Sequence, residues 1–250
     1  MQLESIDIRQ VAILLDIDGT LLDIAPTPQE VRVSPTLRKT LATLHERTGG
    51  AMALVSGRSL HDIDRIFSPL HLSAVGGHGA EIRLLPDGHT DPQRTTPLDE
   101  KLRRRFADIA QPGNGIIVED KEYSLALHYR LAPEKKRAVE DAVAAICADL
   151  PAAFVEVLPG KSVLEIKKIG FNKGTAIRYL MAHPPFAGRR PIFVGDDTTD
   201  DAAFAVVPEF GGIGISVGRM VPGVNTRFEA PRDVRRWLER IAENGRMATT

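Results

Sequence analysis

Three short apolar runs, Val11 to Leu15, Ala51 to Val55 and Pro191 to Val194, each break off into a cluster of polar residues. A run of this length without polar alternation predicts a strand buried on both faces, the mark of a parallel sheet covered by helices. Between the first two runs, Leu37, Leu41 and Leu44 recur at helical spacing. The spacing resumes after Ser59, where Ser59 and Asp62 form a capping box. Open parallel sheets bind ligands outside the carboxyl ends of their strands, so the polar clusters stand where such a fold builds a site. The first cluster is Asp16-Ile-Asp-Gly-Thr20. Its two carboxylates, two positions apart at a strand end, face the same way. They would repel one another unless something positive sat between them, and carboxylate oxygens are the ligands a hard cation such as Mg²⁺ prefers.

The second run delivers Ser56-Gly57-Arg58, where a hydroxyl can hold a phosphoryl oxygen and glycine lets the backbone approach. Asn172-Lys173-Gly174 opens a helical pattern carried by Ala176, Ile177 and Leu180, and the third run ends in Gly195-Asp-Asp-Thr-Thr-Asp-Asp201. Taken alone, the acidic run could cap a helix beginning near Ala202, and a lone lysine is most often surface. The ordered set, acidic pair, hydroxyl, lysine, acidic cluster, resembles the signatures of the haloacid dehalogenase (HAD) superfamily of phosphatases. That resemblance implies Asp16 as a nucleophile forming an aspartyl-phosphate, and Asp18 as general acid and then general base. It implies Mg²⁺ on the Asp16 side chain, the Asp18 carbonyl and Asp196, with Asp197 and Asp200 in support. Ser56, Gly57 and Lys173 would hold the phosphoryl oxygens. The metal on Asp16 and like-charge pressure on Asp18 are expected to push the two pKa values apart, with catalysis mostly positioning and charge neutralisation.

With 250 residues the chain can bury a sizeable core, and a net charge of −1 with no basic face argues against a nucleic-acid partner. The run Arg103-Arg104-Arg105 lies among Leu98, Leu102, Phe106 and Ile109 at helical spacing, so it is expected on the wet side of an amphipathic helix. Cys147, the lone cysteine, falls beside Val139, Val143 and Ile146 and is expected as a buried core residue in a reducing compartment. Neither a secretory leader nor a membrane-spanning run is found, which makes a cytoplasmic protein without membrane association the expectation.

The middle of the chain changes character. After a polar, proline-bearing linker (Asp91 to Pro97) come a helix (Leu98 to Ala110), two strands (Gly115 to Glu119, Tyr123 to Tyr129), a helix (Pro133 to Leu150) and two strands (Ala153 to Leu158, Val163 to Ile166). The chain would return to the core through Lys167 to Phe171. The expected organisation is α/β: a doubly wound parallel-sheet core over 1–94 and 170–250, with an α+β cap inserted over 95–169. HAD enzymes of the second cap class carry a lid at this place, which excludes water and supplies specificity.

Further motifs narrow the resemblance. Gly76-Gly-His-Gly-Ala-Glu81, Glu119-Asp-Lys121, His128-Tyr-Arg130, Pro159-Gly-Lys-Ser-Val-Leu-Glu165 and Gly195-Asp-Asp-Thr-Thr-Asp200 resemble trehalose-6-phosphate phosphatases over nearly the whole span from Val11 to Gly218. A disaccharide phosphate offers many hydroxyls, so its pocket needs bidentate acceptors and charged donors. The resemblance implies Arg58, His78, Glu81, Glu119, Lys121, Arg130, Lys161 and Glu165 as substrate-binding residues. Lys161 and Glu165 would leave one face if a single strand held both. One departure is Asp201, where the family often has Glu. The implied activity is Mg²⁺-dependent hydrolysis of trehalose 6-phosphate, and a trehalose-phosphate synthase is the partner the resemblance suggests. The alternatives are another sugar-phosphate phosphatase or phosphomutase of the same cap class, or an inactive sugar-phosphate sensor.

Overall fold

Every side chain of the strand Val11–Leu15 (β1) is buried, as a strand covered on both faces requires. The computed structural model describes residues 7–24, 31–88, 97–111, 113–121, 123–151, 154–160, 162–224 and 226–244. After β1 the chain runs through α1 (Pro35–Arg47), β2 (Met52–Val55), α2 (Leu60–Phe67), β3 (Ser73–Gly76) and β4 (Glu81–Arg83). There follow α3 (Glu100–Ala107), β5 (Ile117–Asp120), β6 (Ser124–His128), α4 (Lys136–Ala148), β7 (Val155–Gly160) and β8 (Val163–Lys168). The last stretch is α5 (Lys173–Met181), β9 (Arg190–Gly195), α6 (Asp201–Val206), β10 (Ile213–Val217), β11 (Thr226–Phe228) and α7 (Pro231–Asn244). The chain divides into two compact units, Met1–Pro92 with Asn172–Thr250, and Gln93–Phe171. Of the linker expected over Asp91 to Pro97, only Pro97 is among the described residues.

The described strands of the first unit form one sheet in the order β11-β10-β9-β1-β2-β3-β4. All neighbours are parallel except the edge pair β3–β4. Alternate residues of β1 serve opposite faces. Val11, Ile13 and Leu15 join Leu41 and Leu44 of α1, Phe67 of α2, and Trp237 and Ile241 of α7. Ala12 and Leu14 join Ile177 and Leu180 of α5 and Phe204 of α6. Helices on both faces make the sheet doubly wound, and β1 lies where it continues to β2 on one side and β9 on the other. Such a switch point leaves a crevice beyond the strand ends.

In the second unit the described strands form an antiparallel sheet ordered β5-β6-β8-β7. Leu125, Leu127, Leu164 and Ile166 pack with Leu102 and Phe106 of α3 and Val139 and Val143 of α4. Alternation then sends Ser124, His128, Glu165 and Lys167 to the other face. Asp99 caps α3 by accepting from Lys101 N and Leu102 N, so the helix is shorter than apolar spacing suggests. Arg103, Arg104 and Arg105 pair with Asp120, Glu100 and Asp149 at its surface. Cys147 is half-buried rather than fully enclosed; it sits at the margin of this core, and burial raises its thiol pKa. Among the described residues no helix is long and apolar enough to cross a membrane.

Candidate active site

Because Leu15 of β1 registers with Val194 of β9, the residues that follow the two strands emerge side by side. Asp16 donates its amide to Val194 O at 2.9 Å, and Asp196 follows one residue after β9. Lys173, the first residue of α5, lies with its Nζ 2.7 Å from Asp16 Oδ1 and 2.6 Å from Asp200 Oδ1. Asn172 positions that lysine by capping the helix through a reciprocal bond with Thr175. All three charges are enclosed: Asp16 is 4% exposed, Lys173 3% and Asp200 0%. Asp200 uses its other oxygen, Oδ2, to accept from the amides of Asp196 at 2.9 Å and Asp197 at 3.0 Å. Thr20 Oγ1 donates to Asp196 Oδ1 at 3.1 Å. Gly19, at φ +83°, is required here, since a Cβ would stand 2.1 Å from Asp196 Oδ2.

One carboxylate oxygen each from Asp16, Asp196 and Asp200 lie within 4.8 Å of one another. Burial pushes the Asp16 carboxyl well above its ordinary value, Lys173 opposes this, and the charges of Asp200 and Asp196 add to the rise. Asp196 is pushed up to about 6, by burial first and then by Asp200. Burial alone would lower the Lys173 pKa, but Asp16 and Asp200 outweigh it and keep the ammonium charged. Three carboxylates around one ammonium leave an excess of negative charge. An all-oxygen donor set with that excess fits a hard divalent cation. Since both Asp200 oxygens are engaged, Asp16 and Asp196 are the carboxylates left to ligate it, with Asp200 holding their surroundings.

At the end of β2, Ser56 is fixed by its amide on Val75 O at 2.9 Å, and its Oγ accepts from Arg58 N at 3.2 Å. Arg58 grips Asp18 bidentately, Nε to Oδ2 at 2.6 Å and Nη2 to Oδ1 at 2.7 Å. From sequence, Asp18 is expected under like-charge pressure; its nearest charge is this guanidinium. The segment 76–81 braces the same loop. Gly77 N donates to Arg58 O at 2.8 Å, His78 N to Ser56 O at 3.0 Å, and Glu81 Oε2 accepts from Leu60 N at 3.0 Å. His78 sits at φ +55° with its ring against Gly57, where a Cβ would meet Nε2 at 2.3 Å. His78 and Glu81 thus touch the loop that carries Ser56 and Arg58. Asp197 turns to cap the short helical turn Thr198–Asp200, its Oδ1 taking Thr198 N at 2.6 Å.

Within the second unit, Glu165 is nearly buried and accepts from Ser124 Oγ at 2.6 Å and Lys121 Nζ at 3.1 Å. Glu119 Oε2 lies 2.9 Å from His128 Nε2. That bond holds the Glu119 carboxyl below its ordinary range against the opposing effect of burial. Glu119, Lys121 and Glu165 therefore belong to one polar face of the sheet, together with Ser124 and His128, which are not among the sequence-derived site residues. The alternation of Ser124, Ala126 and His128 with Leu125 and Leu127 was the signal available for them. Arg130 lies exposed beyond the end of β6. Lys161 lies outside the described residues.

A family profile described as trehalose-phosphatase matches residues 14–233. The chain is 42% identical over 219 residues to a probable trehalose-phosphate phosphatase of Sinorhizobium fredii, covering 87% of this chain and 82% of the relative. It is 34% identical over 226 residues to the trehalose-6-phosphate phosphatase of Escherichia coli, covering 90% and 84%. The C-terminal domain of the trehalose-6-phosphate phosphatase of C. albicans superposes with a TM-score of 0.81 at 21% identity, over 94% of this chain and 92% of that one.

Proposed function

The chain belongs to the trehalose-phosphatase family and has the HAD fold, and on that premise we propose that it hydrolyses trehalose 6-phosphate to trehalose and phosphate with Mg²⁺ as cofactor. The observation that carries the reading is the buried group Asp16, Lys173, Asp196 and Asp200 at the ends of β1 and β9. A nucleophile backed by a buried ammonium serves group transfer, and a protein that only senses a sugar phosphate has no use for it.

Asp16 attacks phosphorus, and the bond from phosphorus to the sugar oxygen breaks as Asp18 gives that oxygen its proton. Water then attacks the aspartyl-phosphate as Asp18, now a carboxylate, takes a proton from that water, and the bond from Asp16 to phosphorus breaks. Lys173 steadies the charge on Asp16 before the attack and again when the bond to phosphorus breaks. Ser56, held by the amides around it, offers its hydroxyl to a phosphoryl oxygen, and Arg58, which grips both Asp18 oxygens, has to give one up for Asp18 to carry the proton. Mg²⁺, held by Asp16, Asp196 and the Asp18 carbonyl, would offset the charge of the phosphoryl group as it meets these carboxylates. The polar face carrying Glu119, Lys121 and Glu165 supplies recognition of the sugar hydroxyls.

Phosphate release from trehalose 6-phosphate, with Mg²⁺ and with EDTA, tests the proposal. Release only with the metal, and faster than from glucose 6-phosphate, sucrose 6-phosphate or mannose 6-phosphate, is expected. No release, or a clear preference for another member of that panel, would overturn the assignment of substrate.

A further inference from the structure

Asp201 has no part in the chemistry above. It stands at the start of α6, half in solvent, and its carboxylate pairs with the Arg219 guanidinium. Arg219 follows β10 directly after Gly218, whose φ of +69° redirects the chain beyond the strand end. Its side chain reaches back to the acidic loop, where Nε donates to Asp196 O at 2.7 Å and Nη2 donates to Asp197 O at 2.6 Å. Nη2 carries two hydrogens, so it can serve Asp197 O and Asp201 together. The same two residues give their amides to Asp200 Oδ2. The peptide joining Asp196 to Asp197 is thereby held at both ends, its carbonyl by Arg219 and its amide by Asp200.

We propose that Arg219, oriented by Asp201, is a positioning residue that fixes the loop from which Asp196 reaches the metal. The inference rests on the metal-dependent phosphatase reading. Asp196 shares its small volume with Asp16 and Asp200, and like charges this close drive the loop outward when no cation is present. Asp200 restrains the loop only from the buried side. Arg219 supplies the opposing restraint and brings a positive charge of its own. A planar fork bonding adjacent carbonyls is a task a lysine cannot copy. A glutamate at position 201 could still accept from the guanidinium.

The test uses the full chain and its variants Arg219→Ala, Arg219→Lys, Asp201→Asn and Asp201→Glu. Two readouts are taken: calorimetric titration with Mg²⁺ alone, and the Mg²⁺ dependence of phosphate release from trehalose 6-phosphate. Loss of an outer hydrogen-bond partner of a metal site typically weakens metal binding about ten- to a hundredfold. That loss is expected for Arg219→Ala in both readouts, with turnover recovering once Mg²⁺ saturates. Arg219→Lys should recover little affinity, Asp201→Asn should weaken it in the same direction, and Asp201→Glu should match the unmodified chain. Unchanged Mg²⁺ affinity in Arg219→Ala, or a turnover deficit that saturating Mg²⁺ does not lift, would overturn the proposal. Should Arg219→Ala fail to fold, Asp201→Asn decides, since Asp201 is half-exposed; unchanged affinity there is equally fatal. If the unmodified chain binds Mg²⁺ but releases no phosphate, the phosphatase reading falls while calorimetry still decides the brace.

Discussion

Replacing Lys173 by Met takes away the one ammonium that stands 2.7 Å from Asp16 and 2.6 Å from Asp200, in a place almost closed to water. Methionine fills a similar volume, so the loss is mainly one of charge. Breaking a buried ion pair by removing one partner costs about 3–5 kcal/mol, because the remaining charge stays buried and uncompensated. Two carboxylates are stranded here, which places the expectation toward the upper end. The cluster has one escape, which is to bind a proton. Burial and the neighbouring carboxylates already push Asp16 upward, and Lys173 is what opposes them. In the variant the folded carboxyl therefore titrates still higher than in the unfolded chain. A folded state that binds the extra proton loses stability as pH rises. The penalty should be small below the ordinary carboxylate range and grow as pH climbs through the raised folded value. Trp237 is the only tryptophan and is buried against the β1 sheet, so its fluorescence follows urea unfolding of the first unit. Measured in EDTA, the gap between the unmodified chain and Lys173→Met should be about 3–5 kcal/mol at neutral pH and narrow on acidification. Phosphate release should fall on the order of a hundredfold or more, as when a charge-stabilising donor is lost. Equal midpoints at neutral pH, or a gap that widens in acid, would refute this account of the charge balance.

Asp16→Asn should abolish turnover and keep the fold, because an amide cannot attack phosphorus; substantial phosphate release by the purified variant would argue against a covalent intermediate. Asp18→Asn should slow both formation and hydrolysis of the aspartyl-phosphate, and wild-type turnover would reduce Asp18 to a metal or structural residue. If Glu165 accepts from sugar hydroxyls as proposed, Glu165→Ala should lower efficiency on trehalose 6-phosphate about ten- to a hundredfold relative to p-nitrophenyl phosphate, as loss of roughly 1.5–3 kcal/mol implies. An equal loss on the two substrates would mean that Glu165 serves the sheet rather than the sugar.

The central strands were legible because burial on two faces leaves β1, β2 and the part of β9 beyond Arg190 no room for polar residues. Strands β4, β10 and β11 were not. β4 and β11 are three residues each, and β10 is interrupted by Gly214 and Ser216. Runs so short carry almost no period to count. Helix α7 did leave a signal, with Val234, Trp237, Leu238 and Ile241 at helical spacing and all buried. In the candidate site, Asp16, Lys173 and Asp196 come together because strand ends and a helix start are fixed by the sheet. The resemblance places Arg58, His78 and Glu81 at the substrate, yet a motif cannot say whether an arginine holds the ligand or the aspartate beside it.

What escapes the sequence most completely is support for loops. Residues after a strand end have left the ladder, and their amides and carbonyls need other partners. Asp200 takes the amides at 196 and 197, Arg219 takes the carbonyls of the same residues, and Glu81 takes the first amide of α2. These bonds join a side chain to backbone that any residue type could provide, so they leave no pattern at the receiving end. A phosphatase site asks for carboxylates held close against their own repulsion, which loops without such braces could not sustain. Each acid in the motif therefore implies restraining donors elsewhere in the chain, and Arg219, 23 positions beyond Asp196, is one of them.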